Sequence, residues 1–389
     1  MDKLHGIEPS YDAIIVGARC AGAATGLLLA RSGANVLVVD RQAYGSDTMS
    51  THALMRGAVV QLERWGLIGE IMAADTPAIR STMFHYGGEA VRVAIKPEHG
   101  IECLFAPRRT LLDRLLVDAA RKVGAEVRHG IALSELEFAS NGRIVGVTLQ
   151  DASGSRATIG TDIVIGADGR QSTIAQLVNA ATYVQGRHAS GIVFGYFDRL
   201  PRDGSHWHFA RNVAAGVIPT NTGHCVFAAV PARQFFSTFR GDVKRGFLEV
   251  LESNCPGLRA DVERGTLIGR LRGFGGAPGF LRECHGPGWA LVGDAGYFKD
   301  PLTAHGITDA FRDAELLSRA IVDGSTTALG AYQSERDALS LSLLRITDAI
   351  AGFSWDLDGV KALHVQLSAI MNAEASYVAG LSRLPALAA

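Results

Sequence analysis

The feature that most constrains this chain is a strand, a tight turn and a helix written into residues 12–31. Asp12 to Val16 is a short, nearly all-apolar run that ends at Gly17, the pattern of a parallel strand buried on both faces. Gly17-Ala18-Arg19-Cys20-Ala21-Gly22 follows, continued by Gly26, and helix-forming Ala and Leu run from Ala21 to Arg31. Ser32-Gly33 supplies the stop. Asn35 to Val39 is a second, β-branched strand that closes at Asp40-Arg41. The result is a βαβ unit, whose crossover is right-handed. Glycine at 17 permits the turn, Gly22 lets helix and strand approach, and Gly26 extends that approach by one turn. The helix start then presents unpaired N–H groups to a pyrophosphate, and Asp40 is placed to accept from ribose hydroxyls. A glycine-rich turn without a ligand would leave Asp40 unexplained. Arg19 stands where a second glycine usually sits, so its side chain must point away from the phosphates or lie along them.

Composition narrows the function. The chain has 389 residues, 47% hydrophobic and 20% charged, with a formal net charge of −1. That length supports one large or two ordinary domains around a substantial core. The near-zero charge offers no footprint for nucleic acid or an anionic membrane surface. The polar start MDKLHGIEPSYD lacks the layout of a secretion signal, and Arg19 breaks the first apolar run too early for a membrane span. Cys20, Cys103, Cys225, Cys255 and Cys284 are scattered without a CxxC pair, so neither a disulfide framework nor a zinc cage is expected. A reduced, cytoplasmic setting is the expectation.

Two later motifs repeat the theme of a buried strand ending in an acid. Asp162 to Ala167 (DIVIGA) leads into Asp168-Gly169-Arg170, leaving a carboxylate where ligands bind in parallel-sheet folds. Taken alone, an Asp-Gly turn of no functional meaning explains it equally well. Trp289 to Val292 leads into Gly293-Asp294, followed by Asp300-Pro301 and Ala304-His305-Gly306, with a helix from Gly306 to Val322. Such a helix start stabilises negative charge in front of it. Between the motifs, residues 110–123 have helical period, residues 127–150 read as strands around Ser140-Asn141-Gly142, and residues 191–230 alternate as an antiparallel sheet does. The tail from Leu329 is mostly helical.

The three motifs, with Arg109 to Asp113 between the first two, resemble the flavoprotein monooxygenase superfamily typified by p-hydroxybenzoate hydroxylase. Geranylgeranyl reductases and flavin-dependent halogenases share its fold. The resemblance implies an α/β architecture: a Rossmann-like FAD-binding domain over 10–75, 100–185 and 280–335, an inserted antiparallel-sheet substrate domain over 76–99 and 186–279, and C-terminal helices over 336–389. It implies FAD, with Gly17 and Gly22 at the pyrophosphate and Asp40 at the adenosine ribose; Arg19, a departure from the family pattern, and Arg41 are further candidates for the cofactor site. Arg109 is expected near the phosphates or ribityl chain, and Gly293 and Asp294 at the ribityl hydroxyls. By the same resemblance Asp168 is expected to serve both flavin and nicotinamide, and the loop from Pro301 to Gly306 to face the isoalloxazine. No second fingerprint exists for a resident nicotinamide, so NAD(P)H is expected as a transient donor. The implied activity is hydroxylation of an electron-rich aromatic or polyketide-like molecule by O₂ through a flavin hydroperoxide. The alternative is reduction of a carbon–carbon double bond in the geranylgeranyl-reductase manner. The halogenase signature Trp-x-Trp-x-Ile-Pro is absent, and a non-catalytic flavin-binding role is a further reading.

Histidines supply the candidate catalytic groups. His52, in Ser50-Thr51-His52, lies on a segment that passes the flavin in this fold, and His305 replaces a small residue in the flavin-facing loop. His206 and His208 have the spacing of two ligands on one strand face, but no carboxylate or cysteine pattern completes a metal site. A place in the substrate cavity or on the sheet surface is expected for them, and a packing role for Cys20. Trp65, Phe84, Phe194, Phe197, Phe209, Phe227 and Trp355 are candidates for an apolar cavity or for plain core.

Overall fold

A computed structural model describes residues 4–50, 52–201 and 203–387. The apolar runs read above become the parallel heart of an eight-stranded sheet. Ser10–Val16 lies at its centre, parallel to Val36–Asp40 on one side and to Arg156–Gly166 on the other. Trp289–Leu291 extends one edge and Glu126–His129 the other, both parallel. The registers pair Val16 with Val39 and Gly166, and Gly166 with Leu291, so the carboxyl ends of four strands finish at one level. Because the chain leaves the central strand in one direction and returns on its other side, a crevice opens beyond those ends. The helix Cys20–Arg31 packs behind it, buried at ten of its positions. Strands Ile131–Phe138 and Ile144–Asp151 add an antiparallel hairpin around the Asn141 turn.

A second sheet of seven strands stands over this layer. It joins the hairpin Ser81–Tyr86 and Glu89–Ala94 to five strands between Ser190 and Phe274. All neighbours in it are antiparallel except Ser205–Ala210 with Ser81–Tyr86, which run parallel. No turn links those two strands, so no hairpin geometry dictates their direction. The strands over residues 190–231 pair antiparallel with one another, as the alternation there predicts. The strand Ser190–Phe197 is buried throughout because both faces are covered. Ile192, Phe194 and Tyr196 enter an inner cluster, whereas Val193 and Phe197 pack under the helices Val243–Asn254 and Pro256–Arg264. A small third sheet holds Thr182–Gln185, Phe280–Arg282 and Tyr297–Phe298.

The tail folds as two long helices, Ala328–Ala351 and Leu357–Gly380. The second lies across the helix Arg56–Arg64 and sends Val360 and Leu367 into the inner cluster. Among the described residues no helix is long and apolar enough to cross a membrane.

Candidate active site

The crevice is built first from backbone. Gly17 turns at φ +110°, and a Cβ there would stand 2.4 Å from the Ala167 carbonyl oxygen of the neighbouring strand. At Gly22 a Cβ would meet the Gly17 oxygen at 1.8 Å, so helix and turn touch through bare backbone. The Ala18 N–H donates to Asp40 Oδ2 at 2.8 Å and the Gln42 N–H to Oδ1 at 2.7 Å. Asp40 therefore braces the turn itself, and each oxygen keeps a lone pair for a further donor. Arg41 beyond it is exposed.

Arg19 adopts extended backbone, with φ −90° and ψ −167°, and turns its side chain aside. Nη1 pairs with Asp113 Oδ2 at 3.1 Å, and Nη2 donates to Ser46 Oγ at 3.3 Å. The missing glycine is thus accommodated by a guanidinium lying along one wall. Asp113 also binds Arg109 Nε at 2.9 Å and accepts from the Cys20 thiol at 3.2 Å. Burial pushes the Cys20 thiol up, in keeping with a packing role. Ala18, Arg19, Asp40, Tyr44, Asp113 and His129 line a groove here, and the Tyr44 and His129 rings meet edge-on at 5.5 Å.

The other side of the crevice carries the later motifs. Asp168 Oδ2 accepts from the Thr173 N–H at 2.6 Å, at the start of the short helix Thr173–Leu177 that Ser172 caps, while Oδ1 is buried and has no hydrogen-bond partner among the described residues. Between Gly288 and Ser318 the chain is almost entirely sheltered, and only Asp294 and Gly306 are exposed. Gly293, at φ +60°, lets the chain pass 2.9 Å (as a Cβ would measure it) from Ala21 of the first helix. Although the Asp294 side chain opens onto the crevice, the protein packed around it pushes its carboxyl up, to about 6. Lys299, Arg109 and Arg170 pull it the other way. Pro301 begins a single 3₁₀ turn capped by Asp300, and Ala304 and His305 then feed the helix Gly306–Asp323.

These features suit a dinucleotide with a flavin at one end. The bare backbone at Gly17 and Gly22 lets the helix start close against the strand ends, which sets its free N–H groups at the mouth of the crevice. The orphaned Asp168 oxygen awaits a donor, and the two exposed points form a floor in front of a helix start. A family model described as FAD binding domain matches residues 10–347. The chain belongs to the FAD-dependent monooxygenase superfamily. It is a flavin-dependent oxidoreductase. Menaquinone reductase of Mycolicibacterium smegmatis is 26% identical over 418 aligned positions, covering 97% of this chain and 96% of that protein. Digeranylgeranylglycerophospholipid reductase of Methanocella arvoryzae is 25% identical, covering 87% of this chain and 86% of its own. Among solved structures, aklavinone-11 hydroxylase in complex with FAD and aklavinone superposes with a TM-score of 0.72 at 20% identity. The match covers 89% of this chain and 70% of that one.

Within this superfamily fold, the two candidate histidines occupy different walls. His52 is buried at φ +66°, a conformation that costs a non-glycine residue free energy and that surrounding contacts must hold. Its neighbour Thr51 lies outside the described residues. His52 Nε2 contacts the Tyr196 hydroxyl, and the Arg108 guanidinium covers the Tyr196 ring at 3.5 Å. Burial, then Arg109, Arg108 and Arg272, holds the His52 imidazole neutral, well below its ordinary range. Burial also raises the Tyr196 phenol, so the tyrosine donates and Nε2 accepts. That assigns the proton of the imidazole to Nδ1, which has no partner among the described residues. His305 stands across the site against Glu374.

The aromatic candidates divide. Phe194, Phe209 and Phe227 gather in the inner cluster with Trp207, Leu302 and Ala304, and Phe84 and Trp355 pack against it. Trp65 instead donates to Glu315 at 3.2 Å under the first sheet, and Phe197 faces the outer helices. His206 and His208 turn away from the inner cluster. Their face also carries His85, which stacks on His208 at 4.1 Å and contacts His206 at 3.2 Å. Among the described residues the trio with ligand atoms within 4.8 Å of one another is His305, Asp309 and Glu374. Arg312 and Lys299 already engage its carboxylates, so its chemistry is ion pairing. Sequence reading quoted Asp113 as the end of the Arg109 motif without giving it a role, and missed Tyr196, Lys299, Arg312 and Glu374. A signal existed only for the helix after Gly306, where charges at 309, 312 and 313 interrupt an apolar run.

Proposed function

We propose that this protein is an NAD(P)H-reduced, FAD-dependent monooxygenase that hydroxylates an electron-rich aromatic or polyketide-like small molecule. The observation that carries this reading is the inner aromatic wall, Phe84, Phe194, Trp207, Phe209 and Phe227, set over the Leu302–Ala304 turn. An apolar aromatic wall with few polar groups accepts a planar ring and fixes its orientation through those groups. Two polar handles reach this wall. One is the His52–Tyr196 pair, and the other is Tyr86 with His364, whose atoms lie 2.8 Å apart.

In this reading Gly17, Gly22 and the start of the first helix receive the pyrophosphate, with the Arg19 guanidinium along it. Asp40 and Arg41 flank the adenosine ribose. Arg109, Gly293 and Asp294 hold the ribityl chain, Asp168 offers its free oxygen, and Pro301 to Gly306 form the surface under the ring. Bound there, FAD supplies two-electron transfer and the activation of O₂. The chain's own residues supply the rest. The aromatic wall excludes water, which strengthens every hydrogen bond inside. The His52 Nδ1–H donates to an oxygen of the substrate, and the hydroxyl of Tyr196 holds that tautomer in place. NAD(P)H visits without a binding domain of its own.

A second reading is reduction of a carbon–carbon double bond or a quinone. It is favoured by the two relatives aligned along most of their length, both named as reductases. One experiment separates the readings. The purified yellow protein is expected to bleach on anaerobic addition of NADPH or NADH, and then to consume O₂ with formation of hydroxylated product from a phenolic probe. Product formed without O₂ supports the reductase, and flavin that neither nucleotide bleaches refutes the NAD(P)H-reduced monooxygenase.

A further inference from the structure

The helix Gly306–Asp323 is sheltered along its inner face, yet Asp309, Arg312 and Asp313 lie on that face with at most 2% exposure. Lys299 from the preceding loop and Glu374 from the last helix join them, with His305 at the helix start. Arg312 Nη1 binds Asp309 at 3.1 Å and Glu374 at 2.5 Å, and its Nη2 binds Asp313 at 2.7 Å. Lys299 pairs with Asp309, and His305 Nε2 pairs with Glu374 Oε2. Arg336, which neighbours Asp313, is matched by Asp337 at 2.7 Å.

Three carboxylates therefore face Arg312 and Lys299, whose ammonium burial pulls down to about 7, and while Lys299 is charged a proton on His305 brings the cluster to neutrality. Burial holds that proton off: it lowers the imidazole, with Lys299 and Arg312 acting in the same direction and Glu374 against them. The His305 Nδ1 is buried and has no partner among the described residues. The very next residue, Gly306, is one of the two exposed points of the crevice floor.

We propose that His305 is a redox-linked proton site: its Nδ1 takes up a proton when the flavin in front of Gly306 is reduced, while Glu374 holds Nε2. The inference rests on the FAD reading above. A hydride donor of the nicotinamide class delivers two electrons and one proton to the ring. A second proton comes from solvent and forms an N–H bond at Nδ1. The negative charge added on reduction is then matched by the proton taken up at Nδ1, so the net charge of the dry site does not change. On reoxidation the same proton is released, available to the oxygen atom that leaves or to the reduced substrate. Glu374 is a positioning residue, since it acts through the imidazole.

The test is the pH dependence of the flavin's equilibrium midpoint potential, measured on the flavin-loaded full chain by dye equilibration between pH 5.5 and 8.5. In the wild type two protons accompany two electrons over the lower part of that range, and one proton above it. His305→Gln keeps a donor for Glu374 but cannot titrate, so one proton per two electrons is expected throughout, half the wild-type slope at low pH. His305→Asn, which is too short to reach Glu374, is expected to give the same halved slope. Variants that bind flavin fully and retain the wild-type slope at every pH overturn the proposal while leaving the FAD reading intact. Absence of flavin binding by the wild type overturns both.

Discussion

His364 lies against Tyr86, Phe84 and Phe209, and burial pulls its imidazole down to about 4. It is neutral in the folded chain at pH values where the unfolded chain already carries a proton. The unfolded state then binds more protons, so stability rises with pH and is lost as pH falls from about 6.5 toward 4. The shift corresponds to roughly 3 kcal/mol when fully expressed. His364→Gln is expected to flatten that acid limb, as read from urea midpoints at pH 7 and pH 4.5. Asp300 pulls in the opposite sense, because burial raises its carboxyl to about 6, so the difference between variant and wild type isolates the histidine. At this scale the sequence was legible where one residue type meets one geometric demand. Gly17 and Gly22 sit where a side chain cannot. Asp168 was legible as an acid at a strand end, but not as the acceptor for the Thr173 N–H five residues on. Glu374 was not legible at all, because its partners Arg312 and His305 are more than sixty residues away and nothing local marks them.

Among the elements, strands buried on both faces stood out as continuous apolar runs, and the long helices as periodic ones. The helices Val243–Asn254 and Pro256–Arg264 were missed, being short segments between strands whose apolar face is visible only against the sheet they cover. The parallel pairing of Ser205–Ala210 with Ser81–Tyr86 was equally hidden, since register between distant segments leaves no local trace. The last helix shows what an element contributes through one residue. Glu374→Ala removes the carboxylate that Arg312 meets at 2.5 Å and leaves a guanidinium sealed from water. Breaking a buried pair on one side costs about 3–5 kcal/mol. Thermal or urea unfolding of the variant is expected to show a loss of that order, and a loss under about 1 kcal/mol would mean that Asp309 and Asp313 suffice for the arginine.

For the molecule as a whole, the crevice exists only when the strands ending at Val16, Asp40, Gly166 and Leu291 are level. A ligand confined to that crevice binds the folded chain and not the unfolded one. Protein stripped of flavin is therefore expected to gain about 2.7 kcal/mol when FAD is restored at a hundred times its dissociation constant. Differential scanning fluorimetry with and without FAD reads this as a rise in Tm, and an unchanged Tm would argue against a resident cofactor. The FAD-binding architecture was legible because its constraints are local turns repeated three times. The substrate was not, because an apolar wall states a shape and not a compound.

The parallel clasp between Ser205–Ala210 and Ser81–Tyr86 also bears on how the protein is made. A hairpin that leaves the ribosome by residue 94 has no neighbour to pair with until residue 205 has emerged, and the first sheet lacks an edge until residue 291. Neither half matures early, and unpaired strand edges stay open through most of translation. Truncations before residue 274 leave both layers unfinished at once, and truncations between 275 and 290 leave the first sheet alone without its last parallel strand.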